Sequence, residues 1–152
     1  MSKTMTLAVL ILIVAAGGMA YIRLAPTNPA QWHVPLNPRP QEMATPSPDK
    51  VTALPTGAYA DLTAAPDQTQ AVLAQLDGIA LASPRTRRVA GSAETGRITW
   101  VSRSVFWGFP DFTTAEATPQ GVMLYARQRF GKGDWGVNAA RISGWIAALG
   151  PR

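Results

Sequence analysis

An apolar run near the amino terminus constrains this chain more than any other feature. Met5 to Ile22 carries no charge and is mostly apolar, and it lies between Lys3 and Arg23. As a helix the run would be about 27 Å long, just enough to cross the hydrocarbon core of a bilayer. We therefore expect residues 1–23 to form a membrane anchor. The alternative is a cleaved signal peptide, since Gly18-Met19-Ala20 roughly fits a small-x-small cleavage pattern.

The charges on either side of the run predict its orientation. The amino terminus and Lys3 come before it, and only Arg23 follows closely. Short cytoplasmic segments beside membrane helices carry an excess of basic residues. This asymmetry favours a single-pass signal-anchor in the cell membrane, with the rest of the chain on the exported, periplasmic side.

A proline-rich stretch follows the predicted anchor. Nine of the thirteen prolines lie between residues 24 and 66. Because proline lacks a backbone donor and disfavours helix at the preceding residue, we expect residues 24–57 to be an extended tether that holds a globular domain of residues 58–150 off the bilayer. Trp32-His33-Val34 interrupts the stretch and is expected to pack on the domain or to rest at the headgroup level.

Composition narrows the functional classes. The chain has no cysteine, which excludes disulfides, thiolate catalysis and cysteine metal sites, and its single histidine, His33, leaves no second imidazole for a metal site. We predict no metal and no cofactor. Charged residues make up only 15% of the chain, so a nucleic-acid-binding composition is absent.

Basic residues are concentrated in the predicted domain. Arg85 to Arg141 holds nine basic and four acidic residues, whereas Met1 to Pro84 holds four basic and five acidic ones. This excess indicates attraction to phosphate, anionic lipid or an acidic protein partner, or else an ordinary solvated arginine surface.

Periodicity predicts an α+β domain. Apolar residues at helical spacing between Asp67 and Pro84 predict one helix, and Ile142, Trp145, Ile146 and Leu149 predict a second. The predicted strands are 59–62, 86–90, 97–107, 111–117 and 122–130, with a turn at 118–121 joining the last two. The expected fold is a two-layer sandwich, an antiparallel sheet of four to five strands with both helices on one face.

The loop between the last strand and the last helix carries the clearest motif. Residues 131–136, Gly-Lys-Gly-Asp-Trp-Gly, match the G-x-G-x-x-G pattern of dinucleotide sites. A dinucleotide site also needs a parallel strand after the helix, and Asp134 would place a carboxylate beside the pyrophosphate. We therefore predict no nucleotide. We expect Gly131 and Gly136 to allow a tight turn, Asp134 to pair with an arginine, and Asn138 to cap the helix.

The residues that could carry catalysis are few. Asp111 and Asp134 fall near strand ends and could act as acid and base in a small hydrolase or isomerase. Arginines lie close to both in sequence, so salt bridges are the simpler account. No catalytic residue is assigned.

The candidate site is a group of arginines. Arg127 and Arg129 are two residues apart on a predicted strand, so their side chains project from the same face, with Lys132 and Arg141 expected close by. Arg103 joins them only if the register of its strand places it on that face. Paired guanidinium groups suit bidentate recognition of an oxyanion, and Asp134 is the alternative counter-charge.

Two stretches, 96–111 and 125–141, carry a resemblance to a known family. The second contains an arginine-x-arginine strand end, a glycine, an aspartate-x-glycine-x-asparagine and a helical arginine, at Arg127, Arg129, Gly131, Asp134, Gly136, Asn138 and Arg141. In this pattern the chain resembles a bacterial and plastid family called domain of unknown function 1499. The likeness covers about residues 24–149, because Ala25-Pro26 and Trp32-His33-Val34 also resemble membrane-anchored members. Ala139 departs from the basic residue that many members have there.

The resemblance implies a bacterial membrane-anchored domain and names no activity. Together with the predicted anchor and the missing nucleophile, it favours a non-enzymatic binding or assembly domain that recognises an anionic group. The hydrolase or isomerase that uses Asp111 or Asp134 is the alternative.

Overall fold

A computed structural model describes residues 2–43, 45–46 and 48–151. The helices are α1 (Lys3–Arg23), α2 (Pro29–Trp32), α3 (Thr69–Ala82) and α4 (Val137–Leu149), with a 3-10 turn at Gln41–Met43. The strands are β1 (Thr52–Leu54), β2 (Gly57–Thr63), β3 (Thr86–Ser92), β4 (Arg97–Arg103), β5 (Pro110–Thr118) and β6 (Gly121–Gln128).

The strands form one antiparallel sheet in the order β1-β2-β6-β5-β4-β3. The predicted α+β class is therefore confirmed, with six strands where four to five were expected. The additional strand is β1, which lies inside the predicted tether and is too short for its alternation to be recognised. The predicted hairpin is present, because Thr118 pairs with Gly121 across a two-residue turn between β5 and β6.

Helices α3 and α4 cover one face of the sheet. Trp100 of β4 packs edge to face on Trp145 of α4, with ring centroids 5.5 Å apart, and its indole N–H donates to Asp77 of α3 at 2.8 Å. Alternate residues of four strands point into this layer, which is why the strand patterns were readable. The core comprises Ala58, Ala60, Leu62, Val72, Leu73, Leu76, Ala80, Ile98, Trp100, Ala115, Val122, Leu124, Ala126, Ile142 and Trp145.

The proline-rich stretch covers the other face of the sheet. Residues 25–43 and 45–46, called the cover segment below, bury Leu36 and Met43 against Tyr59, Met123 and Tyr125 of β2 and β6. The extended tether expected for residues 24–57 is thus packed on the sheet in this part, and Trp32 and His33 lie against the domain, one of the two positions expected for them. Proline prevents regular secondary structure here but does not prevent burial, since the other face of the sheet is apolar and needs a cover.

Polar contacts fix the cover segment along its length. The Leu36 N–H donates to the Glu116 carboxylate at 2.5 Å, and Arg39 forms a salt bridge with Asp61 at 2.6 Å. The Tyr59 hydroxyl donates to the carbonyl of Thr45 at 2.8 Å. The folded unit therefore begins near residue 25, earlier than the expected boundary at residue 58.

Helix α1 projects from the domain and buries none of its side chains. By length and composition it is the one helix among the described residues that could cross a membrane. Its carboxyl end meets the end of the sheet where β4 and β6 finish and β5 begins, since Arg103 donates to the carbonyl of Ile22 at 3.3 Å. We call this the α1 end of the sheet.

Candidate functional site

The register places two of the candidate arginines, Arg103 and Arg127, on one face, and Arg129 follows Arg127 by two residues. Phe112 of β5 lies opposite both Arg127 of β6 and Val101 of β4. Arg103 is two residues beyond Val101 and therefore shares this face, which is the face that the cover segment occupies. The alternation that placed Arg127 on a common face thus extends across two more strands to Arg103.

These arginines donate to carbonyl oxygens that follow α1. Arg103 reaches Ala25 at 3.3 Å, Arg127 reaches Trp32 at 2.9 Å, and Arg129 reaches Pro26. The Trp32 ring is stacked on Phe112, with centroids 3.9 Å apart and planes within 5° of parallel. The Arg127 guanidinium lies 5.5 Å from the Trp32 ring centroid, a cation–π contact. Arg127 and Arg129 thus attach the start of the cover segment to the sheet.

One residue expected beside them, Arg141, lies elsewhere. Arg141 lies on the helix-covered side, where it pairs with Asp111 at 3.3 Å and donates to the Asn138 side-chain oxygen. Lys132 is exposed in the loop after β6. The sheet therefore separates Arg141 from the other candidate arginines, because α4 turns back across the opposite face and carries Arg141 with it.

The Asp111 carboxylate is engaged in structural contacts. It accepts from Arg141 and from the Asn138 amide, each at 3.3 Å. Burial raises the pKa of Asp111, while the neighbouring Arg141 acts in the opposite direction. The alternative enzyme depended on a carboxylate without an arginine partner in a pocket, and Asp111 does not meet that condition.

Asp134, and not Asn138, caps helix α4. Its carboxylate accepts from the N–H groups of Gly136 at 2.9 Å and Asn138 at 3.1 Å. No salt bridge joins Asp134 to an arginine in the described part of the chain, although such a pairing was expected. Gly136 adopts φ +79°, the left-handed conformation that lets the chain turn from the sheet into the helix. Because Asn138 is buried one residue inside α4, its side chain bridges Asp111 and Arg141.

His33 fastens the middle of the cover segment. Its Nδ1 lies 2.9 Å from the Thr99 hydroxyl, and Nε2 faces Arg97 at 3.5 Å. Burial and then the Arg97 charge lower the pKa of His33, and the more weakly coupled Glu116 raises it. A second proton on the ring would face a guanidinium, so the neutral ring fits this position.

We expect acidification to loosen the cover segment through His33. Because the pKa of His33 in the folded chain is below its ordinary value of 6.5, the unfolded chain binds the proton more readily. The part of the free energy of unfolding that depends on the neutral His33 ring therefore has its full value above about pH 6.5. It declines as the pH falls below that value. Thermal unfolding of the full chain in detergent at about pH 7.5 and about pH 5.5 measures this loss. Between these two pH values, the melting temperature of His33→Gln should fall less than that of the unaltered chain. Equal falls would contradict the assignment to His33.

Aromatic side chains form a continuous series at the α1 end of the sheet. Tyr21 of α1 contacts Phe130, which contacts Phe109, which contacts Trp107, with centroid distances of 6.0, 6.3 and 6.5 Å. Phe106 continues the series at 5.3 Å from Trp107. Phe106 is 68% exposed and Trp107 is 39% exposed, so these two rings lie outside the core. The strand predicted for residues 97–107 ends at Arg103, and residues 104–109 form a loop.

A groove beside this loop brings Arg103 together with three arginines from outside the predicted group. It has a volume of about 470 Å³ and is bordered by Arg23, Arg85, Arg87 and Arg103. Arg85 and Arg87 are two residues apart at the start of β3, the same spacing that drew attention to Arg127 and Arg129. Their proximity to Arg23 depends on where α1 meets the sheet, which no local pattern discloses.

The comparisons with known proteins yield one family. The family described as "Protein of unknown function (DUF1499)" matches residues 28–149. No curated protein and no solved structure matches the chain. The matched range begins within the cover segment and includes every strand, in agreement with a folded unit that starts before β1. The chain belongs to the DUF1499 family.

Proposed function

We propose that this protein is a membrane-anchored binding or assembly domain that lies directly on the bilayer surface. Helix α1 crosses the membrane, and the α1 end of the sheet faces the headgroups. The observation that carries the proposal is the aromatic series that runs without interruption from Tyr21 of α1 to Phe106. Tyrosine and tryptophan favour the membrane interface, where an apolar ring and a polar edge are both accommodated.

The contacts at the end of α1 support a close approach to the bilayer. Arg23, in the last turn, donates to the Phe106 carbonyl at 2.6 Å, and Arg103 donates to the carbonyls of Ile22 and Ala25. No flexible linker separates the helix from the sheet in the described chain. A helix whose apolar residues end at Ile22 therefore holds the 104–109 loop at the depth of the headgroups.

The exposed residues of that loop are suited to this position. Val105 is 72% exposed and borders the groove that the arginines line. Phe106 is 68% exposed, and its carbonyl accepts from Arg23. Trp135, which is 98% exposed, lies in the loop that follows β6 at the same end of the sheet. Apolar side chains with basic neighbours are typical of surfaces that insert shallowly into a membrane.

The domain lies on the exported side of a bacterial cell membrane. The amino terminus and Lys3 precede α1 and favour retention on the cytoplasmic side. The role is non-enzymatic, because Asp111 is held by Arg141 and Asn138, and Asp134 is held by two backbone amides. Attraction to an anionic group at the membrane surface is the binding property that the arginines support.

We expect a label on the 104–109 loop to contact lipid. The chain lacks cysteine, so Phe106→Cys provides a unique attachment point for a fluorophore. In vesicles that contain lipids brominated on their acyl chains, the label at residue 106 should be quenched. The same label on Gln120→Cys should not be quenched. Residue 120 lies in the hairpin between β5 and β6, which is one strand length, about 25 Å, from the α1 end of the sheet.

The same vesicles control for the anchor. The labelled chain should remain with the lipid after an alkaline carbonate wash, as a membrane-spanning helix requires. Retention with equal quenching at residues 106 and 120 would contradict the close approach while leaving the anchor in place. Release into the wash would contradict the anchor itself.

A further inference from the structure

The groove at the α1 end of the sheet carries four arginines and no counter-charge. In the described residues, the salt bridges to carboxylates involve Arg39, Arg88, Arg97 and Arg141, and none of these borders the groove. The groove-lining Arg85 and Arg87 are exposed, and Arg103 is half-buried. A group of positive charges that lacks an internal partner creates a site for an external anion.

The hydrogen bonds of the groove arginines leave donors available. Arg85 uses Nε to reach the carbonyl of Arg103 at 3.1 Å, and Arg87 uses one terminal nitrogen to reach the Thr27 hydroxyl at 2.7 Å. Their remaining N–H groups have no acceptor in the described part of the chain. A guanidinium presents five donors in a planar fork that matches phosphate oxygens, so each of these two side chains retains a donor pair for an oxyanion.

Arg103 shows how strongly positive the groove is. Burial lowers the pKa of Arg103, and the charges of Arg87 and Arg129 lower it further. Arg103 is held in place by the Gly108 carbonyl at 3.0 Å and by the end of α1, so it cannot move away from its neighbours. An anion in the groove would relieve this repulsion without any change in the fold.

The position of the groove selects the kind of anion. Arg23, which ends α1, borders it on one side, and Val105 of the exposed loop borders it on another. Both belong to the surface that faces the headgroups in the proposed function. Phosphate groups are concentrated at that depth and a free metabolite is not, so the groove opens where lipid phosphates lie.

We propose that the groove bordered by Arg23, Arg85, Arg87 and Arg103 is a binding site for the phosphate of an anionic phospholipid headgroup. This inference rests on the proposed function, because it requires the α1 end of the sheet to face the bilayer. Arg85 and Arg87 donate to the phosphate oxygens, and Val105 borders the first carbons of the lipid. A lipid without a positive headgroup, such as phosphatidylglycerol, fits a site made of arginines.

The experiment uses the full chain in a neutral detergent at low salt. Short-chain phosphatidylglycerol is added in steps, and binding is followed by calorimetry. We expect saturable binding by the unaltered chain. Arg85→Gln and Arg87→Gln should each bind about tenfold more weakly, since a hydrogen bond to a charged group contributes about one factor of ten or more.

Arg88→Gln is the matched control. It removes the same charge one residue from Arg87, but Arg88 lies on the opposite face of β3 and pairs with Asp77. Its affinity should equal that of the unaltered chain. An equal loss in Arg88→Gln would overturn the proposal, because net charge and not the groove would then account for binding. Thermal unfolding without lipid checks that each variant is folded, and Arg85→Gln serves as the test if Arg87→Gln is not.

Three further titrations identify the source of the anion. Short-chain phosphatidylcholine, which carries the same phosphate beside a positive choline, should bind much more weakly than phosphatidylglycerol. Inorganic phosphate that binds as tightly as the lipid would overturn the assignment to a lipid. Tighter binding of a polyglutamate peptide would overturn it in favour of an acidic protein partner. If no lipid binding is detected while the chain is still retained in vesicles, the groove is not a lipid-phosphate site. The proposal of a membrane-anchored domain would be unaffected by that result.

Discussion

Replacing Leu36 with alanine is expected to lower the free energy of unfolding by about 2–5 kcal/mol. Leu36 is 1% exposed and packs among Met43, Tyr59, Met123 and Tyr125 on the face of the sheet opposite the helices. The substitution removes buried apolar surface and leaves a cavity that a sheet cannot close by shifting. A free tether would show no such loss.

Leu81→Ala is the control for this substitution. It makes the same chemical change on α3, where Leu81 is 45% exposed and alanine suits the helix. Urea unfolding of both variants in detergent micelles, followed by tryptophan fluorescence, compares the two free energies. Equal and small changes would mean that the cover segment unfolds independently of the sheet.

The strands and the two packed helices were predictable because their patterns are local. Apolar residues at every second position, such as Val122, Leu124 and Ala126, indicate which side of a strand is buried. The hairpin at residues 118–121 is determined by its own turn residues. Both helices present apolar residues at helical spacing, so one covered face followed directly.

The cover segment was not predictable in the same way. Leu36 and Met43 are single apolar residues among prolines. They do not belong to a series of apolar residues at helix or strand spacing, which would indicate that they are buried. Their burial is dictated by the sheet, which has two faces and helices for only one. The available signal was the apolar face of Tyr59, Met123 and Tyr125, which required a partner that only the proline-rich stretch could provide.

The arginines show what side-chain alternation along a strand can predict and what it cannot. It correctly places Arg127 on the face that Arg103 shares, once the register is known. It cannot tell that carbonyl oxygens after α1 would accept from these side chains, or that α4 would carry Arg141 to the other side. Arg23 and Arg87 border one groove only because α1 ends against β4, a contact between segments far apart in sequence.

Replacing Gly121 with alanine is expected to destabilise the sheet strongly. Gly121 begins β6 at φ +141°, a conformation that residues with a side chain rarely adopt. An added methyl group would lie 1.9 Å from the Leu62 carbonyl oxygen and 2.7 Å from the Ala64 nitrogen, both part of the neighbouring backbone. Backbone strain and overpacking together should cost about 2–6 kcal/mol. That loss is a large share of the free energy of unfolding of a typical domain, which is about 5–15 kcal/mol.

Gly78→Ala provides a control of opposite sign. Gly78 lies inside α3, where an added methyl group meets nothing within 4 Å, so the substitution should stabilise the helix by about 0.5–1 kcal/mol. Thermal unfolding of both variants in detergent should therefore give a melting temperature below that of the unaltered chain for Gly121→Ala and above it for Gly78→Ala. A Gly121→Ala chain as stable as the unaltered one would mean that β2 and β6 do not pair in the register of Thr63 with Gly121. Since that pairing aligns Tyr59 with Tyr125 beneath Leu36, its loss would also remove the surface on which the cover segment packs.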